Sequence, residues 1–127
     1  MACRFTELVI DCHDHRRTGE FWAAVLGYEI TDTSDGPDDA YVQLQGPDGW
    51  PTILVVRTPD EKVSKNRLHI DVNATDRDQD AEVERILALG ATYADIGQGE
   101  QSWVVLADPD GNEFCVLRSR VAPLPAS

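Results

Sequence analysis

Apolar and polar residues alternate through "RFTELVIDC" at 4–12 and again through "RLHIDVNA" at 67–74, the period expected of strands with one buried face. An aspartate suited to cap a helix follows each stretch, Asp14 in one case and Asp76 in the other. The period then lengthens to that of a helix. Phe21, Trp22, Val25 and Leu26 make an apolar stripe ended by Gly27, and Val83, Ile86, Leu87 and Leu89 make a second ended by Gly90. Three further strands are predicted after each helix, at 28–33, 40–45 and 52–57 and at 91–96, 102–107 and 113–118. A Pro-Asp-Gly turn stands before the last strand of each set.

The two halves are copies. "YVQLQGPDGW" at 41–50 aligns without a gap on "WVVLADPDGN" at 103–112, and the same 62-residue offset carries "ELVIDCHD" at 7–14 onto "HIDVNATD" at 69–76. The predicted fold class is therefore α+β, with two tandem βαβββ modules at about 4–57 and 67–118 joined by the polar linker "TPDEKVSKN". With 127 residues the whole chain, 1–127, is expected to be a single domain. The tail 119–127, "SRVAPLPAS", is too rich in proline to add an element and should lie loose or against a partner.

Composition changes the picture mainly through charge. Eleven Lys and Arg stand against 23 Asp and Glu, a net charge of −12 that repels phosphate backbones and would attract a cationic ligand. Nucleic acid is thus not an expected partner. No apolar run approaches the ~20 residues of a membrane span, and "MACRFTEL" lacks a signal peptide's apolar stretch, so a cytoplasmic protein with no membrane partner is expected. Cys3, Cys12 and Cys115 are odd in number and widely spaced, which fits free thiols.

The paired βαβββ pattern, the strand–Asp–helix–"LGYE" opening and the closing "SWVVLADPDGNEFCVL" resemble the vicinal oxygen chelate superfamily, also called the glyoxalase, bleomycin resistance and dioxygenase superfamily. The likeness spans about residues 4–118 and is greatest to the glyoxalase-like domain branch. It implies curved mixed sheets around a cavity, helices on the outer face, and a homodimer. Strand parity then puts Leu8 and Ile10 under the first helix and Glu7, Val9 and Asp11 toward the cavity. By the same parity Leu68, Ile70 and Val72 face the second helix, with His69, Asp71 and Asn73 inward. On the closing strand Glu113, Cys115 and Leu117 line the concave side, with Phe114 and Val116 outward.

The resemblance also implies a divalent metal held by inward ligands from the first and last strands of each half. Seven residues before the capping aspartates stand His69, a good match, and Glu7, where a histidine is usual. Seven residues after Asp108 stands Cys115, where the pattern has Glu. The matching position in the first half is Ile53 or Leu54, depending on a one-residue gap, and neither coordinates. Glu113 shares the face of Cys115 but sits about 6 to 7 Å back along the strand. No metal or other cofactor is therefore expected, with His69, Glu7, Glu113 and Cys115 as the donors if a divalent metal binds after all.

The leading reading is a metal-independent small-molecule-binding protein with a pocket of Glu7, Asp11, His69, Asp71, Trp103, Glu113 and Cys115. One version sequesters a cationic drug or metabolite, as the resemblance to bleomycin-resistance proteins implies. The alternative is a divalent-metal-dependent lyase, isomerase or dioxygenase of the same superfamily. A third reading keeps His69 and Glu7 as acid and base without metal, so whether the chain is an enzyme stays open. His13 and His15 in "HDH" are a weak rival metal motif, expected to be solvent-exposed parts of the turn. Arg16 and Arg17 stand where a helix start favours anions, and an exposed, neutral role is expected for them. Trp22 should be core, and Trp50 and Trp103 should offer aromatic surface.

Overall fold

The structure, a computed structural model, describes residues 1–125, and the chain divides into two compact units that split between Asp60 and Glu61. The last two residues of the tail lie outside the described residues.

In the first unit β1 (Glu7–Cys12) leads into α1 (His15–Leu26), then β2 (Glu29–Ser34), β3 (Tyr41–Gln45) and β4 (Thr52–Arg57). The sheet order is β1-β4-β3-β2, with β1 and β4 parallel and the other neighbours antiparallel. Asp14 caps α1 as its sequence context predicts, its carboxylate accepting the Arg17 N–H at 3.0 Å. Gly27 closes the helix at φ 68°, a left-handed conformation that disfavours a side chain. The helix buries Thr18, Gly19, Phe21 and Trp22, while Val25 and Leu26 are only half-buried. Trp22 is fully core and meets Phe21 edge to face at 5.3 Å. Helix and sheet approach closely at Gly19, where an added Cβ would come within 2.7 Å of Val42 Cβ.

In the second unit β5 (Asp71–Val72), α2 (Gln79–Ala88), β6 (Thr92–Tyr93), β7 (Val104–Ala107) and β8 (Glu113–Val116) repeat that order. The sheet order β5-β8-β7-β6 and the parallel pairing of β5 with β8 repeat as well. The expected tandem βαβββ architecture is present. Its buried side chains include Val83 and Ile86 of α2 and Leu106, Phe114 and Val116 of the sheet.

Three local expectations are corrected. Asp78, not Asp76, caps α2, accepting the Ala81 N–H at 2.8 Å. Gln79 sets that start, because its amide donates to the Ser102 and Val116 carbonyls at 2.8 and 3.0 Å and ties the first turn to the sheet. Asp76 instead pairs with Arg77. The strand at 91–96 shrinks to two residues. Beyond it Asp95 and Gln98 side chains accept the Gly97 and Ile96 N–H groups, both at 2.8 Å, and divert them from the ladder. The strand at 67–74 likewise shrinks to two, and Leu68, predicted to face the helix, is 85% exposed. Among the described tail residues none joins a helix or strand, though Val121 N–H donates to the Ala74 carbonyl at 3.0 Å.

Candidate functional site

The second unit gathers three different donor types on one sheet face. Asp71 on β5 stands directly beside Cys115 on β8, and Cys115 in turn beside Val105 on β7. Main-chain bonds hold that register, from Cys115 N–H to the Ile70 carbonyl at 3.0 Å and from Leu117 N–H to the Val72 carbonyl at 2.8 Å. His69 lies two residues before Asp71 and so points to the same side. Its Nε2 is 3.0 Å from Asp71 Oδ1, and one ligand atom each from His69, Asp71 and Cys115 all lie within 4.8 Å of one another. His69 and Asp71 are exposed, whereas Cys115 is buried.

Burial pushes the Cys115 thiol above its ordinary pKa, the Asp71 carboxylate pushes it further, and Lys65 pulls weakly the other way. Cys115 in this state is a protonated thiol at neutral pH, poorly suited to nucleophilic attack.

Glu113 is engaged elsewhere. It accepts from the Lys62 ammonium and from the Asn66 N–H at 2.9 Å, both supplied by the linker. Burial would raise its pKa, but those two donors outweigh it and hold the carboxyl below its usual value. Glu113 is thus neutralised by a lysine and stands outside the His69 group. Trp103, just ahead of β7, is 37% exposed. Asp108, one of the markers of the closing turn, is a structural residue: its Oδ1 accepts the Asp110 and Asn112 N–H groups at 2.9 and 3.0 Å.

In the first unit, ladder register resolves the one-residue gap. Val9 pairs with Leu54 as Asp71 pairs with Cys115, and Val9 and Asp71 are repeat equivalents, so Leu54 and not Ile53 is the counterpart of Cys115. The first-unit equivalents of His69, Asp71 and Cys115 are then Glu7, Val9 and Leu54. Glu7, Val9 and Asp11 are exposed on β1, while Leu8 and Ile10 are partly covered. This triplet offers one carboxylate and two aliphatic groups, which fits no metal. The four-position set that the resemblance implies is therefore not present in these residues.

The "HDH" residues have other roles. His13 Nε2 donates to the Asp60 carbonyl at 2.8 Å. His15, expected to be exposed, is buried, with Nε2 2.6 Å from Asp35 Oδ1. Arg16, expected to be exposed and neutral in effect, grips the same carboxylate through Nε at 3.0 Å and Nη2 at 2.6 Å. Arg16 first, and then His15, hold Asp35 well below the usual carboxylate range. The anion that a helix start favours thus comes from the hairpin after β2 rather than from the helix itself. A cavity of about 620 Å³ beside His13 and Asp38 also includes Arg57, but that guanidinium is spent on the Gly36 and Pro37 carbonyls at 3.1 and 2.9 Å.

The ion pairs of Asp35 and Glu113 were not foreseen from sequence. Each joins groups distant in the chain, and only the acid-rich hairpin beside a basic helix start gave a hint of the first.

Residues 7–117 match the family of glyoxalase-like domains. Among solved structures the chain is similar to a fosfomycin resistance protein FosX from Listeria monocytogenes, described in complex with Mn(II) and 1S,2S-dihydroxypropylphosphonic acid. That match has 18% identity and a TM-score of 0.70, over 95% of this chain and 95% of that one. A glyoxalase/bleomycin resistance protein/dioxygenase family enzyme from Burkholderia phytofirmans matches at 17% identity and TM-score 0.68, over 90% of this chain and 97% of that one. FosX from Mesorhizobium loti matches at 15% and 0.65, over 94% and 93%. At these identities the likeness is one of fold. No curated protein sequence matches the chain.

Proposed function

We propose, from the premise that this chain belongs to the glyoxalase-like domain family, that it binds a small molecule at the open sheet face of its second unit. His69, Asp71 and Cys115 are the centre of that site, with Trp103 as an aromatic contact. The observation that carries the reading is the presence of three polar donors on this face, where the first unit keeps Glu7 but has Val9 and Leu54 at the other two equivalent positions. A protein that kept the family's shared metal centre would need donors at those positions too.

The net charge of −12, with Glu7 and Asp11 exposed on β1, favours a cationic drug or metabolite as ligand. Two proteins of the same fold are described as fosfomycin resistance proteins, which supports a sequestering or detoxifying role. Isothermal titration with cationic glycopeptides and with a phosphonate tests the reading. Saturable binding of the cation, reduced about tenfold or more in His69→Ala, is expected. No heat at low ionic strength with any cationic probe would sink the cationic version.

A divalent-metal-dependent lyase, isomerase or dioxygenase is the second reading, favoured by the imidazole, carboxylate and thiol that converge within 4.8 Å. Glu113 takes no part in either version, because Lys62 and Asn66 hold it. A cytoplasmic homodimer is proposed on the resemblance. Light scattering should then give twice the 14.1 kDa chain mass.

A further inference from the structure

We propose that Glu113 is the positioning residue for His69: by accepting the Asn66 N–H, its carboxylate holds the chain that carries the imidazole against β8. The inference rests on the reading above, since it takes the His69 face as the ligand site. Glu113 itself contacts no ligand there, and what it does is fix where His69 stands.

The two units differ at the strand that opens the repeat. β1 pairs with β4 from Glu7 to Cys12, and the Thr52 N–H still reaches the Thr6 carbonyl at 3.0 Å beyond the start of that run. Glu7, the counterpart of His69, is thus fixed by the ladder itself. β5 pairs with β8 only at Asp71 and Val72. On the side of His69, the bond from the Cys115 N–H to the Ile70 carbonyl is the outermost main-chain bond between the two among the described residues. Leu68, the counterpart of Thr6, is 85% exposed. The ladder therefore stops one residue short of the imidazole.

A side chain takes over where the ladder ends. Glu113 occupies on β8 the position that Thr52 occupies on β4, and it brings a carboxylate where Thr52 has a hydroxyl. Its Oε1 accepts the Asn66 N–H at 2.9 Å, and its Oε2 accepts from the Lys62 ammonium. Asn66 Nδ2 also donates to Asn112 Oδ1 at 3.4 Å, beside Glu113 in sequence. The span from Arg67 to His69 is consequently pinned at one end by Glu113 and at the other by the Ile70 carbonyl. An ionised acceptor makes a stronger bond than the neutral ladder rung it replaces. So short a tethered span has few conformations open to it, which keeps His69 Nε2 at 3.0 Å from Asp71 Oδ1. Lys62 has the lesser part: it also donates to the Ser64 carbonyl at 2.7 Å and shapes the linker upstream of the tether.

The test uses the full chain, isotope-labelled and free of ligand, at one fixed pH. Glu113→Ala and Asn66→Pro should each move the His69 ring resonances toward those of an unstructured peptide and abolish the nuclear Overhauser contact between the ring and Asp71. Amide exchange across residues 67–70 should speed up about tenfold or more in Glu113→Ala. Glu113→Gln keeps an oxygen that can accept the Asn66 N–H, so it should retain the wild-type His69 resonances, and Lys62→Met should retain them too. In calorimetric titration with a cationic glycopeptide, Glu113→Ala should lose about tenfold in affinity, and adding it to His69→Ala should cost nothing further. Circular dichroism checks that the variants fold. Should Glu113→Ala fail to fold, Asn66→Pro, which alters only the linker, must give the His69 change.

Unmoved His69 resonances in the folded Glu113→Ala and Asn66→Pro variants would overturn the proposal. So would Glu113→Gln and Lys62→Met both behaving like Glu113→Ala, which would assign the effect to the ion pair. A chain whose His69 moves in Glu113→Ala but that takes up no glycopeptide upholds the positioning and sinks the ligand reading. Binding that requires His69 but is indifferent to Glu113→Ala does the reverse.

Discussion

Cys115 and Cys3 are the same chemical group in opposite settings. Cys115 is buried, and both burial and Asp71 keep its proton on, while Cys3 is exposed near the start of the chain. Iodoacetamide at neutral pH is therefore expected to label Cys3 at least about tenfold faster than Cys115, read by peptide mass spectrometry. Equal rates would mean that the sheet face opens far more readily than its ladder implies. Asp35 shows the opposite perturbation. Its folded pKa lies below its unfolded value, so its stabilising effect is complete above the unfolded value of about 3.9 and is lost as pH falls toward the folded one. The thermal midpoint of the wild type should exceed that of Asp35→Asn at pH 7, and the gap should narrow steadily below pH ~4. A gap that stays constant down to pH ~2 would remove the carboxylate's charge from the account.

At the scale of elements, α1 can lie close to β3 because residue 19 has no side chain. A Cβ there would stand 2.7 and 2.8 Å from Val42 Cβ and Cγ1, inside a packed layer. Gly19→Ala gains up to ~1 kcal/mol of helix propensity but loses about 1 to 3 kcal/mol to overpacking. A net loss is expected, seen as a lower urea midpoint with an unchanged slope. Much of this level was legible in sequence because its signals are local. Alternation, the 62-residue offset, the Asp14 cap and the Gly27 stop are local signals, and each matches the observed element. The start of α2 was missed because "TDRDQD" offers two capping aspartates, and a distant contact of Gln79 with β8 chooses between them. The shortened β6 was missed because Asp95 and Gln98 capture backbone groups that periodicity assigns to the ladder. In the site, parity put His69, Asp71 and Cys115 on one face. Parity could not show Glu113 being taken by Lys62, a pairing across 51 residues of sequence. The turn copies differ for a packing reason that the sequence alone conceals. Gly46 stands where Asp108 does in the repeat, and a Cβ on it would meet the Tyr28 ring at 2.5 Å.

For the whole molecule the dominant quantity is the excess of 23 acids over 11 bases. Self-repulsion of that size destabilises a compact chain at low ionic strength and is screened beyond about 10 Å at 0.1 M salt. The thermal midpoint should therefore rise on going from ~10 to ~150 mM sodium chloride, while affinity for a cationic ligand should fall. A midpoint that drops instead would mean that attractive pairs such as Arg16 with Asp35 outweigh the net repulsion. No helix among the described residues is long and apolar enough to cross a membrane. The parallel pairing of β5 with β8 carries a consequence in time. A ribosome releases His69 and Asp71 while Cys115 is still unmade, and everything from α2 to β7 must emerge before β8 can slot in beside β5. The growing chain consequently has no complete version of this site to offer until β8 is made, and a message cut short between β5 and β8 yields a polypeptide with the imidazole and the carboxylate but without the third member.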